Sequence, residues 1–168
     1  MSARYWLQAA RLRTLPLATD SILCGGLIAK TADRFDGLIL ALSLATAVAL
    51  QIFSNFANDY GDARHGADSA QRQGPERMVA AGRISQSGMQ RALAASALAC
   101  CLLGIALLAV ALPDIHAAHP RAWLLWLLLG AAAIAAAFTY TAGFKPYGYY
   151  GFGDSSVLLV FGCLGVLG

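Results

Sequence analysis

The chain has 168 residues, of which 58% are hydrophobic and 12% charged, and a formal net charge of +3. That ratio excludes an ordinary soluble domain with one core and a wet surface, and it describes an integral membrane protein embedded in a lipid bilayer. The positive balance follows from where the basic residues fall between apolar runs, so it points to membrane topology and not to nucleic acid, for which no partner role is expected.

The first element expected is an amphipathic stretch from Arg4 to Arg13, with arginines on one side and Trp6 and Leu7 on another, suited to a helix lying in the membrane interface. It leads into a weak span over about 15–30. A signal peptide is the competing reading, opposed by Asp20 within the apolar part and by the lack of a clear small-x-small cleavage site. Three runs free of Asp, Glu, Lys and Arg follow, Gly37 to Asn58, Ala92 to Pro113 and Ala122 to Phe144. Each exceeds the roughly 20 residues that cross about 30 Å of hydrocarbon, so spans are expected over 37–58, 92–113 and 122–143.

The last apolar run, Ser155 to Gly168, has 14 residues and is expected to be a truncated fifth span. A crossing helix needs about 17–25 residues. Arg4, Arg11, Arg13, Arg64, Arg72, Arg77, Arg83, Arg91 and Lys145 fall on one side of these spans, while Lys30, Arg34 and Arg121 fall on the other. The positive-inside rule then puts the N-terminus and the polar loop 59–90 in the cytoplasm, and the expected location is the bacterial inner membrane. Cys24, Cys100, Cys101 and Cys163 sit in apolar runs without ligand-like spacing and are expected to be packing residues.

Gln51, Asn55, Asn58 and Asp62 form a polar stripe on the second span, within an arc of about 60° at roughly 100° per residue. Polar side chains at membrane depth are costly unless they face a cavity or a partner, so the stripe marks a candidate site. Acidic residues at a helix C-terminal end also oppose its macrodipole by about 0.3–1 kcal/mol each, a cost that a bound cation reverses. Asn58, Asp59 and Asp62 can bring oxygens together, and Mg²⁺ is a hard cation that takes such oxygens and completes its shell with water and phosphate. Arg64, Arg72, Arg77 and Arg83 in the same loop offer guanidinium forks for phosphate oxygens. The bland alternative is a set of solvated loop acids paired with those arginines. After the fourth span, Gly143 to Asp154 is dense in Tyr and Gly, which fits either an interfacial aromatic belt or a functional loop with Lys145 and Asp154 near its ends.

Gln51 to Asp62, then Gly66 and Asp68, Gly74-Pro75-Glu76-Arg77 and Gly82-Arg83-Ile84-Ser85, resemble the first aspartate-rich region of the UbiA-type intramembrane prenyltransferases. Tyr140-Thr141-Ala142-Gly143, Lys145-Pro146-Tyr147-Gly148-Tyr149-Tyr150-Gly151 and Gly153-Asp154, with the opening Arg11 to Pro16, are similar to the branch acting in menaquinone biosynthesis.

The resemblance implies an all-α transmembrane bundle, of which this chain would hold about four complete spans. It also implies an Mg²⁺-dependent enzyme that transfers a prenyl group from polyprenyl diphosphate to 1,4-dihydroxy-2-naphthoate with loss of the carboxylate. On the matching positions, Asn58 and Asp62 would hold magnesium with Asp59 and Asp68 assisting. Arg77, Arg72 and Lys145 would grip diphosphate, and Asn55, Tyr140, Tyr149 and Asp154 would contact or orient substrate, with Asp62, Lys145 and Asp154 as the catalytic set. The second aspartate-rich motif of the family is absent, so this stretch is not expected to catalyse the reaction alone. The alternatives are a sister enzyme acting on 4-hydroxybenzoate or homogentisate, and a transporter half built on a helical repeat.

Overall fold

The computed structural model describes residues 2–66, 76–113, 119–143 and 146–151. Asp68, Arg72, Lys145, Asp154 and the fifth span expected over 155–168 lie outside the described residues. Among the described residues every regular element is helical: α1 (Ala3–Ala10), α2 (Leu15–Thr31), α3 (Gly37–His65), α4 (Gln86–Ala111) and α5 (Pro120–Thr139), with short 3-10 turns at Leu12–Thr14 and Tyr147–Tyr150. Gly37–His65, Gln86–Ala111 and Arg121–Thr139 are each long and apolar enough to cross a membrane. Helix α2 has 17 residues and covers about 25 Å at 1.5 Å per residue, just under the hydrocarbon thickness.

Local chemistry sets most helix boundaries. The Asp36 side chain caps α3 by accepting from the Leu38 and Ile39 N–H groups at 2.7 and 3.1 Å, and the Ser85 hydroxyl caps α4 by accepting from Gly88 N–H at 3.1 Å. One boundary differs from the expectation. Helix α3 continues beyond Asn58 to His65, and α4 begins at Gln86, so the connection is shorter than 59–90 and the aspartates lie on the helix itself.

Gly61 and Gly66 have different roles at this end of α3. Gly66 ends α3 in the left-handed region at φ 63°, where a glycine carries no Cβ penalty. Gly61 stays inside the helix because the 141–142 backbone packs against it, and a Cβ there would lie 2.3 Å from the Thr141 carbonyl oxygen.

Helix α3 is the hub. It packs most extensively on α4, then on α2, and also contacts α5 and α1. The buried core gathers at its Asp62-bearing end, where Phe53, Ala57 and Tyr60 meet Met78, Val79 and Ile84 of the α3–α4 connection, Met89 and Leu93 of α4, and Ala142. Farther along the bundle, Leu98, Leu102, Leu124, Leu125 and Leu128 point outward and are exposed, as a lipid-facing surface requires.

The upper half of the polar stripe ties the break between α1 and α2 to this hub. The Asn55 amide donates to the Ala10 carbonyl at 2.8 Å and to the Thr14 hydroxyl at 3.0 Å, and Gln51 donates to the same hydroxyl at 3.3 Å. Thr14 passes its own proton to the Arg11 carbonyl at 2.9 Å. The last carbonyls of α1, which have no partner within their own helix, are thereby satisfied where water is scarce. Edge-to-face packing of Trp6 on Phe56, with ring centroids 5.9 Å apart, seats α1 on the same stretch of α3.

Three substitutions test this frame by thermal unfolding in detergent, the last also by proteolysis. Gly61→Ala is expected to destabilise by about 1–3 kcal/mol, as overpacking against backbone does, and by more than Gly26→Ala, whose added Cβ would meet only the movable end of Leu40 at 2.9 Å. Equal melting temperatures for the two variants would contradict the close backbone approach. Asn55→Leu is expected to cost about 1–3 kcal/mol by stranding the Ala10 carbonyl, and to raise proteolysis of residues 2–14; an unchanged digestion rate would contradict the tie.

Candidate functional site

The last turns of α3 separate polar residues that lie close together in sequence. Asn58 and Asp62 face the turns that follow α5. The Thr141 hydroxyl donates to Asn58 Oδ1 at 2.7 Å, and Tyr149 Oη donates to Asp62 Oδ1 at 2.7 Å. The other Asp62 oxygen takes an ion pair from Arg77 Nη2, and both partners are buried. Tyr149 is held from its other side by His65, ring edge to ring face with centroids 6.1 Å apart, and His65 is itself fixed by donating from Nδ1 to the Gly61 carbonyl at 2.9 Å.

Asp59 was expected among the metal ligands, but its carboxylate faces elsewhere. One oxygen accepts from Met78 N–H and the other from Val79 N–H, each at 2.9 Å, and the residue is 1% exposed. Asn55, expected against substrate, is 3% exposed and bonded to Ala10 and Thr14 as described, so its amide serves the α1–α2 break. Tyr140 does not reach Asp62 by any hydrogen bond among the described residues. Its ring packs edge to face on Tyr147 at 5.5 Å between centroids, and its carbonyl accepts from Gly148 N–H at 2.9 Å, which folds the Tyr147–Tyr150 turn back towards α3.

Arg77 carries the clearest sign of a missing partner. Its Nε and Nη1 are buried and have no hydrogen-bond partner among the described residues, while Nη2 is committed to Asp62. Leaving charged donors buried and unsatisfied costs about 1–3 kcal/mol or more, and an anion with several oxygens would satisfy both.

A hard cation is compatible with the same place, provided that phosphate completes its shell. The facing donors are all oxygens, an amide from Asn58 and a carboxylate from Asp62. The Thr141 hydroxyl can accept as readily as donate, so a rotated Asn58 amide keeps that bond while turning its oxygen outward. Among the described residues no group of three or more His, Cys, Asp or Glu is gathered to hold a metal. The donor set is therefore that of an open site and not of a closed protein cage.

Residues absent from the sequence-based list are Thr141, His65 and the backbone N–H groups of Met78 and Val79. Thr141 could have been noticed as a polar residue within the Tyr140 to Gly143 run; the backbone donors leave no trace in residue type.

Below this polar end, α2, α3, α4 and α5 line an open-sided cavity of about 610 Å³, with walls that include Ile22, Ile39, Leu50, Ile105, Leu108 and Ile134. Its α3 wall stops at Leu50, and the twelve residues from there to Asp62 rise about 18 Å along the helix.

Comparison with known proteins gives these groups a context. The chain is 48% identical over 164 residues to 1,4-dihydroxy-2-naphthoate octaprenyltransferase of Escherichia coli (strain K12), covering 97% of this chain and 51% of the relative. It is 43% identical over 167 residues to the protein of the same name from Haemophilus influenzae, covering 98% and 53%. It is 37% identical over 164 residues to the one from Mycobacterium tuberculosis, covering 97% and 52%. The chain thus spans about half the length of the curated relatives it matches. No solved structure matches it. The family model described as UbiA prenyltransferase family matches residues 21–168, and with three helices fit to cross a membrane the chain belongs to the UbiA prenyltransferase family.

Proposed function

We propose that the protein formed by this chain transfers a polyprenyl group from polyprenyl diphosphate to 1,4-dihydroxy-2-naphthoate, with loss of the ring carboxylate as carbon dioxide, giving demethylmenaquinol, the reduced form of demethylmenaquinone. The observation that carries this reading is the buried Arg77 guanidinium, with one nitrogen paired to Asp62 and two that find no hydrogen-bond partner among the described residues. The names of the relatives support the choice of naphthoate as acceptor and of a long isoprenoid as donor.

In this reading Arg77 binds diphosphate oxygens through Nε and Nη1, and Asn58 and Asp62 hold Mg²⁺, with Asp68 as an additional candidate. Magnesium, when bound, supplies positive charge that favours departure of the diphosphate. Tyr149 Oη orients the Asp62 carboxylate, and Tyr149, 48% exposed, also offers a ring face to the acceptor or to developing allylic cation. Arg72 and Lys145 add cationic contacts to phosphate, and Tyr140 and Asp154 orient the acceptor.

The bond that breaks joins the allylic carbon to the diphosphate oxygen, and the diphosphate leaves with the electron pair. The electron-rich naphthol ring attacks that carbon, and carbon dioxide departs from the ring. Burial of Asp62 and Arg77 keeps water from the site, where electrostatic stabilisation of the departing charge counts most. The apolar cavity at the other end of α3 is suited to the distal part of the isoprenoid. The basic residues that flank the spans support an N-terminus and an Asp62-bearing end on the cytoplasmic face of the inner membrane.

Membranes carrying the complete gene product, offered labelled prenyl diphosphate and each acceptor in turn, test this. Prenylation of 1,4-dihydroxy-2-naphthoate is expected, with loss of at least about a hundredfold in Asp62→Ala, the scale seen when one charge-stabilising group is removed. Reaction of 4-hydroxybenzoate while naphthoate stays unchanged would overturn the acceptor assignment, and full activity in Asp62→Ala would overturn the site.

A further inference from the structure

We propose that Asp59 is a positioning residue that holds the Met78 and Val79 backbone so that Arg77 is presented at Asp62, and that it takes no part in metal coordination. This rests on the reading of Arg77 as the diphosphate grip and of Asp62 as a metal ligand.

Residues 77 to 84 form a turn bonded to itself. Ala81 N–H donates to the Arg77 carbonyl at 3.0 Å, and Arg83 and Ile84 N–H both donate to the Met78 carbonyl at 2.9 and 3.0 Å. Such a unit moves as one piece. Among the described hydrogen bonds, this unit is joined to α3 by the two that Asp59 accepts and by the pair between Arg77 and Asp62. If Arg77 is to leave Asp62 partly or wholly for a phosphate, the Asp59 bonds are the ones that keep the turn in register.

A carboxylate suits this role because two N–H donors need two acceptors. An amide at the same place would offer one acceptor and one donor, and the donor would oppose an N–H group. Burying this charge is costly, and the Val79 and Met78 N–H groups, then Arg77 and Arg11, meet part of that cost. Both Asp59 oxygens are engaged by fixed backbone N–H groups of Met78 and Val79, whereas those of Asp62 meet the side chains of Arg77 and Tyr149, which can turn aside for a cation. Direction along the helix agrees, since at 100° per residue Asp59 lies about 100° around α3 from Asn58 and outside the arc that Asn58 and Asp62 share.

The test uses the complete gene product purified in detergent, with Mn²⁺ binding followed by spin resonance and inorganic diphosphate binding followed by calorimetry in the presence of Mg²⁺. Asp59→Asn is expected to keep Mn²⁺ affinity within about twofold while diphosphate affinity falls by about tenfold, equivalent to about 1.4 kcal/mol. In an Arg77→Gln background the same change is expected to cost nothing further, because the two residues act as one unit. A fall in Mn²⁺ affinity as large as that of Asp62→Asn would make Asp59 a ligand and overturn the proposal, as would an undiminished loss of diphosphate affinity in the Arg77→Gln background.

Should Asp59→Asn not fold, Met78→Pro removes one of the two donors and leaves the carboxylate intact. The same pattern is expected of it, and unchanged diphosphate affinity would contradict the proposal. If Asp62→Asn itself leaves Mn²⁺ binding unchanged, the metal reading of Asp62 fails, and the coupling between Asp59 and Arg77 still decides the positioning role.

Discussion

Two carboxylates three residues apart on one buried helix turn, each engaged by its own set of donors, fix everything around the site. Asp59 engages the backbone of the α3–α4 connection, and Asp62 engages the Arg77 side chain from that same connection together with Tyr149 from beyond α5. Neither charge could remain buried without these partners, because an unpaired carboxylate in an apolar interior costs several kcal/mol. The connection and the turns after α5 are therefore held against α3 by electrostatics as well as by the core formed by Met78, Val79, Ile84 and Ala142.

The close approach of backbone to backbone at Gly61 completes the arrangement. With a hydrogen in place of a side chain, α3 lets the Thr141 carbonyl come near enough for the Thr141 hydroxyl to reach Asn58 one turn earlier. Packing thus sets the geometry of the polar groups: the residue that forms no hydrogen bond through a side chain decides where two others meet. At the other end of the stripe, Asn55 and Gln51 hold the break between α1 and α2, which keeps the amphipathic α1 beside the same end of α3.

The helices were legible in the sequence because uncharged runs near 20 residues admit few alternatives in a membrane, and Asp62 and Asn58 stood out because their period matched a helix face. Less legible was the extent of α3. Glycines at 61 and 66 look alike as residue types, yet one sits within the helix because a backbone packs on it and the other terminates it with positive φ.

The stripe also reads as one feature in sequence but divides in space, since periodicity gives a direction and not the partner that lies there. Asn55 finds the carbonyl of Ala10, 45 positions earlier, and Asn58 finds Thr141, 83 positions later. Asp59 was grouped with Asp62 because residues three apart on a helix can meet, although at about 100° from Asn58 it lies outside the stripe. The backbone donors that receive it could not have been inferred from side-chain identity at all.

The central claim is that the buried guanidinium of Arg77, with oxygen ligands from Asn58 and Asp62, forms a receptor for a metal-bound diphosphate. Calorimetric titration of a prenyl diphosphate into the purified protein, with Mg²⁺ and then with excess chelator, addresses it most directly when wild type is compared with Arg77→Gln. The account predicts that affinity drops when magnesium is removed and drops again when the guanidinium is lost. Equal affinity under all four conditions would contradict it.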